Sequence, residues 1–158
     1  MAELQGWPEI FSGKTSDIDT SAVNTPGTIA RDSAGNVYIY MQGVASLDAT
    51  HNVVSYDENY VPSLIAAGAK GRVAVAMAVL NSATATFGWY QIFGKNTITG
   101  SDAVADNGVP YIDATAGRID DAAVTGDCIQ GMMIRSTDAS SNVCTTELNY
   151  PFVNTKLG

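Results

Sequence analysis

Apolar and polar positions alternate along this chain in short runs separated by turn residues. Val37, Ile39 and Met41 fall on one side of a run whose other side is Tyr38, Tyr40 and Gln42, and Ser33-Ala34-Gly35-Asn36 supplies a turn ahead of it. A period of two is that of a β-strand, so a core strand is expected there. From Arg72 to Leu80, Val73, Val75, Met77 and Val79 alternate with Ala74, Ala76 and Ala78. That pattern predicts a strand covered on both faces, with small residues on one face so that another layer can approach closely. An aromatic strand is expected at Gly88–Gly94, a tight hairpin at Ala114–Ile119 with Gly117 at positive φ, and a last hairpin pairing Cys128–Ile134 with Val143–Leu148. One helical turn is expected after Pro62, where Ser63-Leu64-Ile65-Ala66-Ala67 closes on Gly68.

One composite pattern is used twice. Val37–Gly43, an acid-containing turn at Ser46–Thr50 and a second short strand at Val53–Glu58 are matched by Gly88–Gly94, Gly100–Ala103 and Val109–Asp113. Short strands at regular spacing argue an all-β body, a small barrel or sandwich of β-tulip-like form. The similarity of the halves is read either as duplication or as convergence of hairpin patterns.

Before the first strand the period is lost. Residues 1–28 hold Gly6, Pro8, Gly13, Pro26 and Gly27 among Ser, Thr, Asp and Asn, a composition for turns and extended chain. Yet Leu4, Trp7, Ile10 and Phe11 are more apolar than a solvated tail requires. The domain plan is therefore an extended N-terminal arm over 1–28 and a single β-rich domain over 29–158. The arm either docks its aromatics on a neighbouring subunit or folds back on its own domain.

Composition narrows the partners. The 158 residues include 8 Lys plus Arg against 16 Asp plus Glu, a formal net charge of −8, so counterion release from a phosphate backbone does not favour binding and nucleic acid is not expected. The longest apolar run, Val73–Leu80, is far shorter than the roughly 20 residues of a membrane helix, and 1–14 lacks the basic start and apolar stretch of a secretory signal. Synthesis in the cytoplasm and no membrane partner are expected.

Candidate chemistry is sparse. His51, the single histidine, lies in a turn with no Gly-x-Ser-x-Gly nucleophile motif anywhere in the chain, so no catalytic residue and no enzyme activity are expected. The acid pairs Asp17/Asp19, Asp57/Glu58 and Asp120/Asp121, and the loop Gly100–Gly108, miss the spacing of a calcium loop; neither metal nor cofactor is expected. Cys128 and Cys144 flank a hairpin turn, where a disulfide is one reading and two buried reduced thiols, suited to a cytoplasmic chain, the other. Trp89 and Tyr90 are adjacent on a strand, so one of them is expected in the core and the other exposed or at an interface.

Several of these stretches together resemble small structural proteins of tailed bacteriophages. They are Gly71–Ala76, Gln91-Ile92-Phe93-Gly94, Val109–Gly117, Ile129-Gln130-Gly131 and Glu147–Phe152. The class most similar is the head-decoration, or cement, proteins. The resemblance implies a β-rich body on the outside of a matured capsid where shell subunits meet, with major capsid protein as partner, trimers as a possible self-association, and an arm that adds a strand or apolar plug to the shell.

The function expected is thus that of a structural virion protein that stabilises the head of a tailed phage by bridging shell subunits. Trp7, Ile10 and Phe11 on the arm, with Trp89 on the body, are the expected interface residues. A carbohydrate-binding β module on a virion or cell surface, holding glycans through exposed aromatics, and a head-to-tail or tail component are the alternatives.

Overall fold

The computed structural model describes residues 13–47, 51–82, 86–99, 104–137 and 142–154. Its elements are β1 (Ile29–Arg31), β2 (Val37–Gln42), β3 (Val53–Tyr56), β4 (Pro62–Leu64), β5 (Gly71–Ala76), β6 (Phe87–Thr99), β7 (Tyr111–Ile112), β8 (Ile119–Asp120), β9 (Ile129–Ile134) and β10 (Val143–Val153). The fold is all-β, a curled half-barrel sheet with the order β1-β2-β6-β10-β5-β3-β4. β9 adds to the outer side of β10, β5 also pairs with β6, and β7 and β8 form a separate hairpin.

Alternation decides which side chains fill the curl. Val37, Ile39 and Met41 of β2 join Val54 and Tyr56 of β3, Ala74 and Ala76 of β5, and Tyr90 and Ile92 of β6 in one buried cluster. The alanines of β5 are what let the other strands close over them, as their small volume suggests. Val73 and Val75, on the opposite face of β5, pack instead with Ile98, Ile129, Ile134, Cys144 and Leu148. Each fully buried aliphatic side chain contributes roughly 1.5–3 kcal/mol, so β5 is fixed from both faces.

β6 is the longest strand, and it runs past Gly94, where the aromatic strand was expected to stop. Gly94 has φ 99°, and a Cβ there would strike the Asn36 side chain. The glycine therefore bends the strand without ending it. Before the bend β6 lies between β2 and β5; beyond it β6 pairs with β10. Gln91, 2% exposed, spans the bend by donating from Nε2 to the carbonyls of Phe93 (3.0 Å) and Lys95 (3.1 Å), which satisfies its buried amide.

Three other expectations meet the structure differently. The helical turn after Pro62 is absent: Pro62–Leu64 is strand β4, with Pro62 opposite Tyr56, and a turn follows. β4 ends the sheet, a position that tolerates the missing proline N–H. The strand expected to reach Leu80 ends at Ala76. The twofold pattern is not a structural repeat: its first strands, β2 and β6, pair with each other, whereas β3 enters the main sheet and β7 the small one. The described part of the arm, residues 13–28, is bonded to the β body. The Asp19 and Phe87 backbones exchange hydrogen bonds of 2.9 and 2.8 Å, and the Gly27 N–H donates to the Tyr40 carbonyl at 2.8 Å.

The two later hairpins form as the sequence implies. Gly117 has φ 83° between β7 and β8, and β9 pairs antiparallel with β10. No disulfide joins Cys128 and Cys144, and Cys144 is buried and faces the core, so the disulfide reading is set aside.

Candidate functional site

The interface residues expected from the sequence divide in two. Trp7, Ile10 and Phe11 lie outside the described residues. Trp89 lies on β6, but it is 7% exposed and so is not the open aromatic surface that was expected. Tyr90 is fully buried on the opposite face, so both members of the pair are interior. Strand alternation sends them to opposite faces as anticipated; both faces are covered.

Trp89 belongs to an aromatic cluster on the side of β2 and β6 away from the half-barrel interior. It packs with Tyr38 and Tyr40, and Ala30, Met77 and Phe87 border them. Tyr40 opposes Trp89 in the β2–β6 register and meets it edge to face at 5.2 Å. Phe87 lies nearly parallel to Tyr40 at 6.3 Å. Such ring pairs add about 0.5–1.5 kcal/mol beyond the area they bury.

The N-terminal segment is tied to this cluster by polar groups. The Tyr40 hydroxyl donates to Asp19 Oδ2 at 2.6 Å and accepts from the Val23 N–H at 3.3 Å. Burial first, and then the Asp19 hydrogen bond, push the Tyr40 phenol up to about 12. Tyr38 is likewise raised to about 12, by burial and then by its hydrogen bond to Asp32. Both hydroxyls remain donors across ordinary pH.

Asp32 organises the turn that carries the sheet into β2. Its Oδ1 accepts from the Ala34 and Asn36 N–H groups, each at 2.9 Å, and its Oδ2 from Asn36 Nδ2 at 2.7 Å and the Tyr38 hydroxyl at 2.9 Å. Burial acts to raise the carboxyl, but these donors outweigh it and the net shift is downward. A groove of about 280 Å³ opens beside this turn, with Gly13–Thr15 on one wall and Ala30–Asp32 on the other, and with Tyr38 and Trp89 among its lining. Gly13, the first of the described residues, is part of that lining.

His51 stands in a left-handed turn at φ 67°, and burial lowers its imidazole pKa. It lines a separate open groove of about 640 Å³ with Asn36, Met77, Gln91, Lys95 and Asn96. Among the described residues no group of three or more His, Cys, Asp or Glu is placed to hold a metal ion. No helix among them is long and apolar enough to cross a membrane.

The arrangement offers recognition by shape, aromatic packing and charge. What sequence reasoning missed was the tie of the N-terminal segment to the aromatic cluster: Asp19 and Val23 carry no periodic signal, and they meet Tyr40 across 21 and 17 residues of chain. No protein-family model matches the chain, and no curated protein matches it in sequence.

Proposed function

We propose that the protein is a structural virion protein that decorates a tailed-phage capsid from outside, bridging neighbouring shell subunits. The observation that supports this reading is the seating of the N-terminal segment: Asp19, Val23 and Gly27 are bonded to the β2–β6 face, and Gly13 lies at a groove beside Trp89. The preceding residues include the apolar side chains Trp7, Ile10 and Phe11. On this reading the major capsid protein receives those side chains, and the body bridges the joint.

The mechanism is mechanical. A standard protein interface buries roughly 1,600 Å² in total, and modest contacts repeated over many symmetric copies resist expansion forces without a tight single site. The chain would be made in the host cytoplasm and act on the outer surface of the head. For the alternative, a glycan-binding module, Trp89 offers no exposed ring, whereas Tyr60 and Tyr150 are exposed.

The test is co-sedimentation with mature heads and with unexpanded procapsids of its source, followed by electron microscopy. Saturable binding at regular positions on mature heads supports decoration, and Trp7→Ala with Phe11→Ala lowers occupancy while the β body stays folded. No binding to either particle overturns the reading, and unchanged occupancy in the double variant overturns the arm's role.

A further inference from the structure

Asn107-Gly108 is the one Asn-Gly step in the sequence. Asparagine is a chemically labile residue, and it is most labile before glycine, where no side chain shields the following backbone nitrogen. That nitrogen attacks the side-chain carbonyl carbon, ammonia leaves, and water opens the cyclic imide. The turn nevertheless requires both residues. Asn107 has φ 61°, a left-handed conformation that asparagine adopts more readily than most residues. A Cβ at Gly108 would come within 2.9 Å of the Ala105 carbonyl oxygen. The labile pair is therefore there for structural reasons, and what surrounds it decides whether it reacts.

Two groups that the reaction uses are held in other bonds. The Gly108 N–H, which must give up its proton, donates to the Ala105 carbonyl at 3.1 Å. Asn107 Oδ1, on the carbon to be attacked, accepts from Arg135 Nη1 at 2.7 Å. The backbone around them is strapped to the end of β9. The Asn107 N–H donates to the Ile134 carbonyl at 2.9 Å, and the Ile134 N–H donates to the Gly108 carbonyl at 3.2 Å. On the other side the Ala105 N–H donates to Asp121 Oδ2 at 2.8 Å.

Arg135 is itself pinned. Its Nε and Nη2 meet Glu147 Oε2 at 2.9 and 2.8 Å, so the planar guanidinium spends one edge on the carboxylate of β10 and turns Nη1 to Asn107. A mobile guanidinium would travel with Oδ1 and draw charge from the carbonyl, which would speed the attack. A pinned one keeps the amide where it is, and Asn107 must break a charge-assisted bond before its carbon reaches the Gly108 nitrogen. Asn107 is exposed, so the water that opens the imide is at hand.

We propose that Asn107 is a self-modification site kept latent by the Arg135–Glu147 pair. When the pair lets go, the Gly108 nitrogen bonds to Asn107 Cγ, the Cγ–Nδ2 bond breaks, and ammonia departs with the proton of the Gly108 amide. Water then adds to one of the two imide carbonyls. Opening at Cγ leaves aspartate; opening at the main-chain carbonyl leaves isoaspartate, whose backbone carries an extra carbon. Either product puts a new carboxylate beside Arg135, and the isoaspartate backbone no longer fits the two straps to Ile134. The proposal uses no arm residue and is independent of the capsid reading.

The test incubates the full chain in mildly alkaline buffer, folded and in urea, and follows conversion at each asparagine by peptide mapping with mass spectrometry. In the folded wild type, Asn107 is expected to convert at least roughly tenfold more slowly than in the unfolded chain, with Arg135→Ala recovering most of that factor and Glu147→Gln falling between them. Asn81, exposed and followed by the small Ser82, is the internal control, and its conversion is expected to be the same in the three folded chains. Wild-type conversion at the unfolded rate, an unfolded chain that does not convert at Asn107, or variants no faster than wild type would each overturn the proposal. So would an Asn81 that speeds up together with Asn107, since general loosening and not release of a guard would then be the cause.

Discussion

The Tyr40 hydroxyl reaches the Asp19 carboxylate at 2.6 Å, and this bond joins the N-terminal segment to the middle of β2. Hydrogen bonds to a charged acceptor contribute about 1.5–3 kcal/mol, less where water competes. Tyr40→Phe keeps the ring against Trp89 and removes only the hydroxyl. We expect it to lower stability to urea by about 1–2 kcal/mol and to speed proteolysis within 13–28. Wild-type stability and wild-type cleavage would mean that the segment is held by other contacts.

Alkaline pH addresses the same face. Burial leads the causes that raise both Tyr38 and Tyr40 to about 12, above the ordinary value of 10.0. A group whose pKa is raised by folding stabilises the fold fully below its unfolded value and loses that contribution as pH climbs through the folded one. The melting temperature is therefore expected to fall between about pH 10 and pH 12, and Tyr40→Phe is expected to flatten the decline. A profile identical in the variant would exclude Tyr40 as a source.

Acid acts through the turn at Asp32. Donors from Asn36, Tyr38 and Ala34 outweigh the burial that raises its carboxyl, so its folded pKa lies below 3.8. Its stabilising contribution is present above that value and disappears as pH falls through the lower, folded one. Asp32→Asn should lower stability at pH 7 by about 1–2 kcal/mol, with the gap from wild type shrinking as pH falls below 3.8 and through the folded value. A gap that is constant with pH would show that the charge is not what matters.

Thr146 is fully buried, and its hydroxyl has no hydrogen-bond partner among the described residues. On β10 it lies between Cys144 and Leu148 on the face that fills the larger apolar cluster. A buried polar group without a partner costs about 1–3 kcal/mol. Thr146→Val keeps the branched shape, and a gain of about 1 kcal/mol in denaturant unfolding is expected. A loss would reveal a bond made by the hydroxyl.

Gly94→Ala tests the bend in β6. Its φ of 99° and the nearby Asn36 side chain both oppose a Cβ. We expect a loss of about 2–4 kcal/mol, combining backbone strain with displacement of Asn36. An equally stable variant would mean that the bend relaxes without cost.

What could be seen in the sequence was local alternation. Val37 to Gln42 reads as two faces, and each face goes to the cluster its pattern implies, as do the two faces of Val73 to Ala76. Gly94 was misleading because glycine marks both strand ends and bends, and only the pairing with β10 beyond it distinguishes them. Pro62 followed by an apolar run ending at Gly68 has the local form of a helix start, yet pairing with Tyr56 makes it a strand. The tie of the N-terminal segment to Tyr40 was invisible for a different reason. It comes from Asp19 and Val23, residues without periodicity and far away in the chain, and alternation specifies which way a ring points but not what meets it there.

The bend at Gly94 gives β6 two sets of neighbours, and that bears on how the body carries load. A pull on the N-terminal segment enters at the Asp19–Phe87 pair, at the first residue of β6. Tension then runs lengthwise along a strand flanked first by β2 and β5 and then by β10. Hydrogen bonds loaded in shear must yield together, whereas bonds at a peeled edge yield in turn. The long strand thus acts as a tie rod, spreading a force applied at one end over both apolar clusters.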